Sequence, residues 1–94
     1  MSKMQNDRKN RIEIELFAQA MDVKLDKKQL EYGNSWKDCP IQFLNERLQE
    51  EVQELKDSIS INEVHNKLVD VANLCMMLWY RTLPLIADES EGRE

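Results

Sequence analysis

The stretch SINEVHNKLVDVANLCMMLWYRTL, residues 60–83, is typical of one long and largely buried helix. Ser60 and Glu63 have the spacing of a capping box, in which the two side chains satisfy free backbone N–H groups at a helix N-terminus. Apolar residues then cover most of the circumference, as in a helix that packs on several sides. Pro84 follows, and we expect the helix to end at Leu83 because proline lacks the backbone N–H that a helix interior uses.

Two further helices are predicted ahead of this one. Apolar residues recur at helical intervals over residues 9–31, and Gly33 follows as a typical helix stop. A second amphipathic pattern covers residues 40–58. Because its connection to residue 61 is short, we expect the second and third helices to pack antiparallel as a hairpin. Two Gly and two Pro in 94 residues leave too few turn residues for a β-sandwich or barrel. The sequence therefore predicts an all-α fold of three to four helices.

Length and charge limit the classes of function. We expect residues 1–94 to form a single domain with polar, frayed tails at 1–8 and 88–94. The balance of 13 Lys and Arg against 18 Asp and Glu, a net charge of −5, argues against nucleic-acid binding as the main task. No signal peptide is recognisable, and the most apolar window is too short to span a bilayer. Cys39 and Cys75 have neither disulfide nor metal spacing, and Cys75 is expected in the core. We therefore expect a cytoplasmic protein without a nucleic-acid or membrane partner.

Acidic and amide side chains mark the place where chemistry is expected. Asp70 and Asn73 lie in the buried part of the third helix, where an unpaired polar group would be costly. Asp70 is therefore kept there by a salt bridge, a hydrogen-bond network or a metal ion, and all three remain open. Glu51 and Glu54, at i and i+3, face the polar stripe of the third helix if the hairpin is antiparallel. Three such carboxylates make a hard-oxygen site suited to Mg²⁺ or Mn²⁺, ions that serve phosphate substrates.

An ordered set of motifs supports the same interpretation. Residues 47–55 read RLQEEVQEL and contain E-E-x-x-E, residues 70–73 read DVAN, and residues 33–37 read GNSWK. Together they resemble the E-E-x-x-E, D-V-x-N and loop-tryptophan motifs of the MazG-like nucleotide pyrophosphohydrolases, an all-α superfamily. The resemblance covers residues 17–81. E-E-x-x-E alone is common on acidic helices, so the order of the three motifs carries the resemblance.

The resemblance implies an activity and a ligand set. Members of the superfamily cleave a (deoxy)nucleoside triphosphate to the monophosphate and pyrophosphate with Mg²⁺ or Mn²⁺. Carried over by motif, the metal ligands are Glu51, Glu54 and Asp70, with Glu50 as a supporting or water-activating acid. Lys67 stands where the family has a fourth carboxylate. Either a reduced metal set suffices, or Lys67 replaces an ion as a phosphate contact, or the protein binds nucleotides without hydrolysing them well.

Candidate substrate contacts surround this set. Trp36 is either a stacking surface for a nucleobase or a core plug between the first two helices. Lys37, Arg47 and Arg81 are either phosphate contacts or surface charges. Asn73 either hydrogen-bonds substrate or holds the aspartate of its own motif. The predicted ligand is a nucleoside triphosphate.

The third helix also predicts self-association. Apolar residues lie on more of its sides than two neighbouring helices can cover, so we expect the hairpins of two subunits to complete a helix bundle. MazG-like proteins are dimers or tetramers, and the resemblance implies the same here. Two alternatives stay open. One is a non-catalytic or weakly active nucleotide-binding or regulatory protein, favoured by Lys67; the other is a helical interaction protein whose acids are only a solvated face.

Overall fold

The computed structural model describes the backbone of residues 9–32 and 34–92, and the side chains of residues 9–28 and 34–86. Over these residues the protein is all-helical, with no β-strand. The elements are α1 (Arg11–Tyr32), a short 3-10 helix (Ser35–Lys37), α2 (Ile41–Asp57) and α3 (Ile61–Gly92). The predicted all-α class is confirmed. Gly33 and the predicted tail at 1–8 lie outside the described residues.

The start of α3 matches its sequence signal. The backbone N–H of Glu63 donates to Ser60 Oγ at 3.1 Å, and the backbone N–H of Ser60 donates to Glu63 Oε1 at 3.2 Å. This reciprocal pair is the predicted capping box, and such a cap stabilises a helix by about 1 kcal/mol. It fixes where α3 begins and therefore which residues of α3 face α2.

The predicted end of α3 was wrong. The helix does not stop at Leu83 but continues through Pro84 to Gly92. Proline removes one helical hydrogen bond, here to the carbonyl of Tyr80, and that loss is tolerated where water can reach the freed carbonyl. Tyr80 is about half exposed, and residues 83–86 are exposed. The Thr82 hydroxyl donates to the Leu78 carbonyl at 2.9 Å, so the turn before the proline keeps additional hydrogen bonding.

A small core forms on α3 where α2 and α1 pack against it. Its buried apolar residues are Leu44, Val69 and Leu74, and the buried polar residues are Glu51, Asp70 and Asn73. Half of this set is polar or charged, which is unusual because such groups are rarely buried without partners. The predicted burial of Asp70 and Asn73 is confirmed. The buried polar groups therefore mark the side of α3 that faces its neighbouring helices as the place of a candidate site.

Other apolar surface stays uncovered. No side chain of residues 9–28, which include most of α1, is buried. Cys75 is exposed although the preceding Asn73 and Leu74 are buried, so its predicted place in the core was wrong: its side chain lies on a solvent-facing side of α3. The exposed large apolar side chains of α1 and α3 include Ile12, Ile14, Leu16, Val23, Leu68, Trp79 and Ile86. Within the described residues, no helix combines the length and apolar character needed to cross a bilayer.

Candidate functional site

Three carboxylates from two helices converge on one ammonium group. Lys67 Nζ, on α3, lies 3.3 Å from Oε1 of Glu51 and 3.8 Å from Oδ2 of Asp70, and it contacts Oε1 of Glu54 directly. Glu51 and Asp70 are only 4% and 8% exposed, whereas the Glu54 side chain is half exposed. The structure thus brings the three predicted carboxylates together around Lys67. The burial of two of them disfavours a purely solvated acidic face.

The contacts of Lys67 shift the pKa values of Glu54 and of Lys67 itself. The side-chain hydrogen bond from Lys67 lowers the pKa of the Glu54 carboxyl below its ordinary value, and the positive charge of Lys67 adds to this effect. Reciprocally, the hydrogen bond to Glu54 raises the pKa of Lys67, and the bond to Glu51 adds to the rise while partial desolvation opposes it. At neutral pH the carboxylate of Glu54 and the ammonium of Lys67 are therefore both ionised.

Arg47 is the second cation of the site. Its Nη1 lies 2.7 Å from Glu50 Oε1, and its Nη2 lies 3.4 Å from Glu51 Oε2. The hydrogen bond to Glu50, and then the charge of Glu51, raise the pKa of Arg47. Glu50 is mostly exposed and points toward this guanidinium. The structure therefore gives Glu50 a partner beside the site, and Glu50 is not among the described contacts of Lys67.

Two further cations come from α1. Lys24 Nζ lies 3.3 Å from Asp70 Oδ1 and donates to the Asn66 carbonyl at 3.2 Å. Lys28 Nζ lies 3.8 Å from the same oxygen of Asp70. Sequence analysis missed both lysines. Their spacing of one helical turn was the available signal, but it is common on exposed helix faces and does not identify the carboxylate they meet.

An open cavity of about 510 Å³ lies beside the carboxylates. Six predicted site residues line it: Trp36, Lys37, Arg47, Glu51, Asp70 and Asn73. Lys28 joins them from α1, together with Asp22 and Asp26. Ligand pockets are typically about 300–1,000 Å³ in volume, so the cavity has the size for a small organic ligand. The cavity is bounded by cationic, anionic and aromatic side chains from all three helices and the 3-10 helix.

Trp36 connects the 3-10 helix to α3. Its ring meets Tyr80 edge-on, with centroids 6.0 Å apart and planes at 71°, and Lys37 Nζ lies 5.6 Å from the Trp36 ring centroid. Arg81 Nη1 donates to the Trp36 carbonyl at 2.7 Å. Trp36 is half-buried, so it packs against Tyr80 and also lines the cavity. Arg81 holds the backbone of the 3-10 helix and is not among the cavity-lining residues.

Asn73 presents a buried amide at the same cavity. Its Nδ2 donates to the Met21 carbonyl of α1 at 3.3 Å. Its Oδ1 is buried without a hydrogen-bond partner among the described residues. Of the two predicted roles, holding Asp70 has no supporting contact here, since Asn73 is tied to α1. A buried acceptor without a partner is costly, which makes Asn73 a notable polar group in the cavity wall.

The family resemblance implies a divalent metal ion at the three carboxylates. Carboxylate oxygens are the ligands that Mg²⁺ prefers. However, an ammonium group stands at the point on which Glu51, Glu54 and Asp70 converge. Within residues 9–28 and 34–86, no three Asp, Glu, His or Cys side chains are arranged to hold a metal ion. With Lys67 in this position, the residues do not fit a divalent ion.

Comparison with known proteins gives one informative relative. No protein-family model matches the sequence, and no solved structure matches it. The chain is 37% identical over 71 residues to a protein of Archaeoglobus fulgidus described as uncharacterized. The matched region covers 69% of this chain and 76% of the archaeal protein. Identity at this level over most of both sequences means that the chain belongs to the same protein family as this Archaeoglobus fulgidus protein.

Proposed function

We propose that this chain is a MazG-like protein whose ligand is a nucleoside triphosphate, bound in the cavity beside Glu51 and Asp70. The observation that carries the proposal is the convergence of the motif carboxylates Glu51, Glu54 and Asp70 from two helices on one cation. These are the positions that the superfamily uses for its chemistry. The first candidate activity is hydrolysis of a (d)NTP to the (d)NMP and pyrophosphate, and a Mg²⁺ ion that serves it at these carboxylates would have to displace Lys67.

The lining of the cavity supports an anionic, aromatic ligand. Lys28, Lys37 and Arg47 line the cavity from three different elements, and their positive charge suits a triphosphate. Trp36 lines it as well and supplies an aromatic surface for a nucleobase. The buried Oδ1 of Asn73 offers a hydrogen-bond acceptor to a base or sugar donor. We therefore propose that the phosphates lie toward Lys28 and Arg47 and the base toward Trp36, beside which Lys37 also lies.

A second candidate function is nucleotide binding without efficient hydrolysis. The observation that favours it is the position of Lys67, whose ammonium neutralises the carboxylates that the family uses for metal. Under this alternative the protein senses or sequesters nucleotides. Both candidates share the ligand and the cavity, and they differ in whether a phosphoanhydride bond is broken.

A panel of (d)NTPs with Mg²⁺ separates the candidates. Pyrophosphate release is measured for wild type, Asp70→Asn and, as matched control, Glu46→Gln, since Glu46 is an exposed α2 residue whose side chain accepts from Gln42. Calorimetric titration with non-hydrolysable triphosphate analogues measures binding in parallel. Release by wild type and Glu46→Gln, with loss in Asp70→Asn, supports hydrolysis. Binding without release supports the second candidate. A protein that neither binds nor cleaves any nucleotide contradicts both.

We also propose that α2 and α3 form an antiparallel hairpin and that two or more subunits complete a helix bundle. Support comes from exposed apolar side chains on α1 and α3, such as Ile14 and Trp79, both 64% exposed. The Cα radius of gyration is 16.4 Å, against about 12 Å for a compact domain of this length. Light scattering should give a dimer or tetramer mass. A monomer of 11.2 kDa at micromolar concentration would contradict this assembly.

A further inference from the structure

Lys67 stands apart from the other cations of the site. Lys24 and Lys28 pair with Asp70 alone among the three carboxylates, and Arg47 pairs with Glu51 and Glu50. Among the described residues, Lys67 is the cation in contact with all of Glu51, Glu54 and Asp70. Lys67 therefore lies at the centre of the three carboxylates, while the other cations lie around their edge.

The backbone explains how Lys67 reaches this point. It lies three residues before Asp70, so both side chains leave α3 on the same side, one turn apart. The capping box at Ser60 and Glu63 fixes the start of α3 and therefore this register. The long apolar stem of lysine packs over the helix and delivers the ammonium to the carboxylates of α2. Lys67 thus belongs to α3, and its ammonium bonds to carboxylates of the neighbouring α2.

We infer that Lys67 is a tethered counter-ion that competes with divalent metal ions for the carboxylates of Glu51, Glu54 and Asp70. A metal ion that binds these oxygens must displace the ammonium of Lys67. The oxygens already contact the ammonium, and two cations bound to the same oxygens would repel each other. The wild-type protein consequently binds Mg²⁺ or Mn²⁺ weakly at this place. Removal of the Lys67 charge exposes a site for a divalent ion that the wild-type chain masks.

This inference concerns metal binding in the absence of nucleotide and does not depend on the proposed function. Mn²⁺ alone is the probe, and its binding is measured by calorimetric titration and by the electron paramagnetic resonance of the free ion. We expect Lys67→Met, which keeps the length of the side chain and removes the charge, to bind one Mn²⁺ at least about tenfold more tightly than wild type. The added substitution Glu54→Gln should reverse most of this gain.

Lys24→Met is the matched control. It also removes one positive charge beside Asp70, but Lys24 contacts neither Glu51 nor Glu54 among the described pairs. Because Lys24 contacts one of the three carboxylates and Lys67 contacts all three, the effect of Lys24→Met on Mn²⁺ affinity should be smaller, within about threefold. Equal gains in the two lysine variants would overturn the inference, because they would show a general charge effect. Equal affinity of wild type and Lys67→Met would overturn it as well.

A measurement on the wild-type protein keeps the test independent of the folding of variants. The side-chain ammonium of Lys67 is followed by ¹⁵N NMR during titration with diamagnetic Mg²⁺. We expect the Lys67 signal to shift together with the backbone amides of Glu51 and Asp70, and only at high Mg²⁺ concentration. Saturation of those amides at micromolar Mg²⁺, with the Lys67 signal unchanged, would mean that the ion and the ammonium do not compete.

Discussion

The pair α2–α3 and the helix α1 contribute to the same cavity in different ways. Every buried residue of the described chain lies on α2 or α3, and the buried carboxylates Glu51 and Asp70 are among them. The described side chains of α1 are exposed or half-buried, and α1 reaches the site through the long side chains of Lys24 and Lys28. The anionic half of the site is therefore held by packing, while part of the cationic half comes from a sparsely packed helix.

The difference shows where the site is rigid and where it can adjust. Segments with few buried apolar contacts open at lower free energy than packed ones. When a ligand enters the cavity, we accordingly expect α1 and its lysines to move, while the carboxylates of α2 and α3 stay in place. Comparable substitutions in α1 and in the α2–α3 pair should therefore have different effects.

The largest effect is expected at Asp70. Asp70→Ala removes a buried carboxylate and leaves Lys24 and Lys67 without that partner, which should destabilise the fold by about 3–5 kcal/mol. The free energy of unfolding is measured with urea. The comparable change on α1 is Glu15→Ala, which breaks an exposed pair with Arg11 and should cost no more than about 0.5 kcal/mol. Similar losses for the two variants would remove the contrast between the regions.

A second comparison uses apolar residues. Leu74 is 8% exposed at the interface of α2 and α3, and Leu74→Ala should cost about 2–5 kcal/mol through lost burial and a cavity. Leu16 of α1 is 61% exposed, so Leu16→Ala should leave the unfolding free energy of the single chain within about 0.5 kcal/mol. If the apolar face of α1 is an assembly surface, Leu16→Ala will weaken the oligomer, which will then dissociate at a higher protein concentration than wild type does. Light scattering over a concentration series distinguishes the two effects.

Sequence reasoning succeeded where a local pattern determines the outcome. The capping box predicted the start of α3, and apolar periodicity predicted α2 to within a residue at each end. Because Asp70 and Asn73 lie among apolar residues of one helix, their burial followed from the helical repeat. Glu51, Glu54 and Asp70 do meet around Lys67, although the antiparallel hairpin from which their approach was predicted stays a proposal.

Sequence reasoning failed where a long side chain selects its partner in three dimensions. Nothing in the local sequence indicates that Lys24 meets Asp70 or that Arg81 holds the Trp36 carbonyl, because both contacts depend on how separate elements pack. The end of α3 was missed for a different reason. Pro84 disfavours a helix, but solvent access lets the helix continue past it, and exposure depends on the tertiary structure.

A third prediction concerns the proposed hydrolysis and a substitution on the rigid α3. Lys67→Glu introduces a carboxylate at the position that the proposed MazG-like relationship assigns to a fourth acid, so it should strengthen Mn²⁺ binding and raise any weak pyrophosphate release by about tenfold. Lys28→Glu, on the sparsely packed α1, should not raise the rate, because Lys28 contacts neither Glu51 nor Glu54 among the described pairs. If Lys67→Glu changes neither metal affinity nor rate, the residue at position 67 does not limit metal binding at these carboxylates.

The smallest effect is expected from pH and comes from the pair of Lys67 and Glu54. The hydrogen bond from Lys67 lowers the pKa of Glu54 below its ordinary 4.5, so the stability that Glu54 contributes is present above pH 4.5 and is lost as the pH falls through the lowered pKa. The hydrogen bond to Glu54 raises the pKa of Lys67 above its ordinary 10.5. The stability that Lys67 contributes is therefore complete below pH 10.5 and is lost as the pH rises through the raised pKa.

A double-mutant cycle of wild type, Glu54→Gln, Lys67→Met and the combined variant isolates this pair. Thermal unfolding across the pH range should give a coupling that is constant between about pH 5 and 10 and that falls toward zero at both extremes. The coupling should be small at its plateau, because Glu54 is half exposed and water screens the pair. A coupling that stays unchanged as the pH falls through the lowered pKa of Glu54 and Glu54 becomes protonated would mean that its ionisation does not hold Lys67 at the carboxylates. The contacts with buried Glu51 and Asp70 would then have to position Lys67.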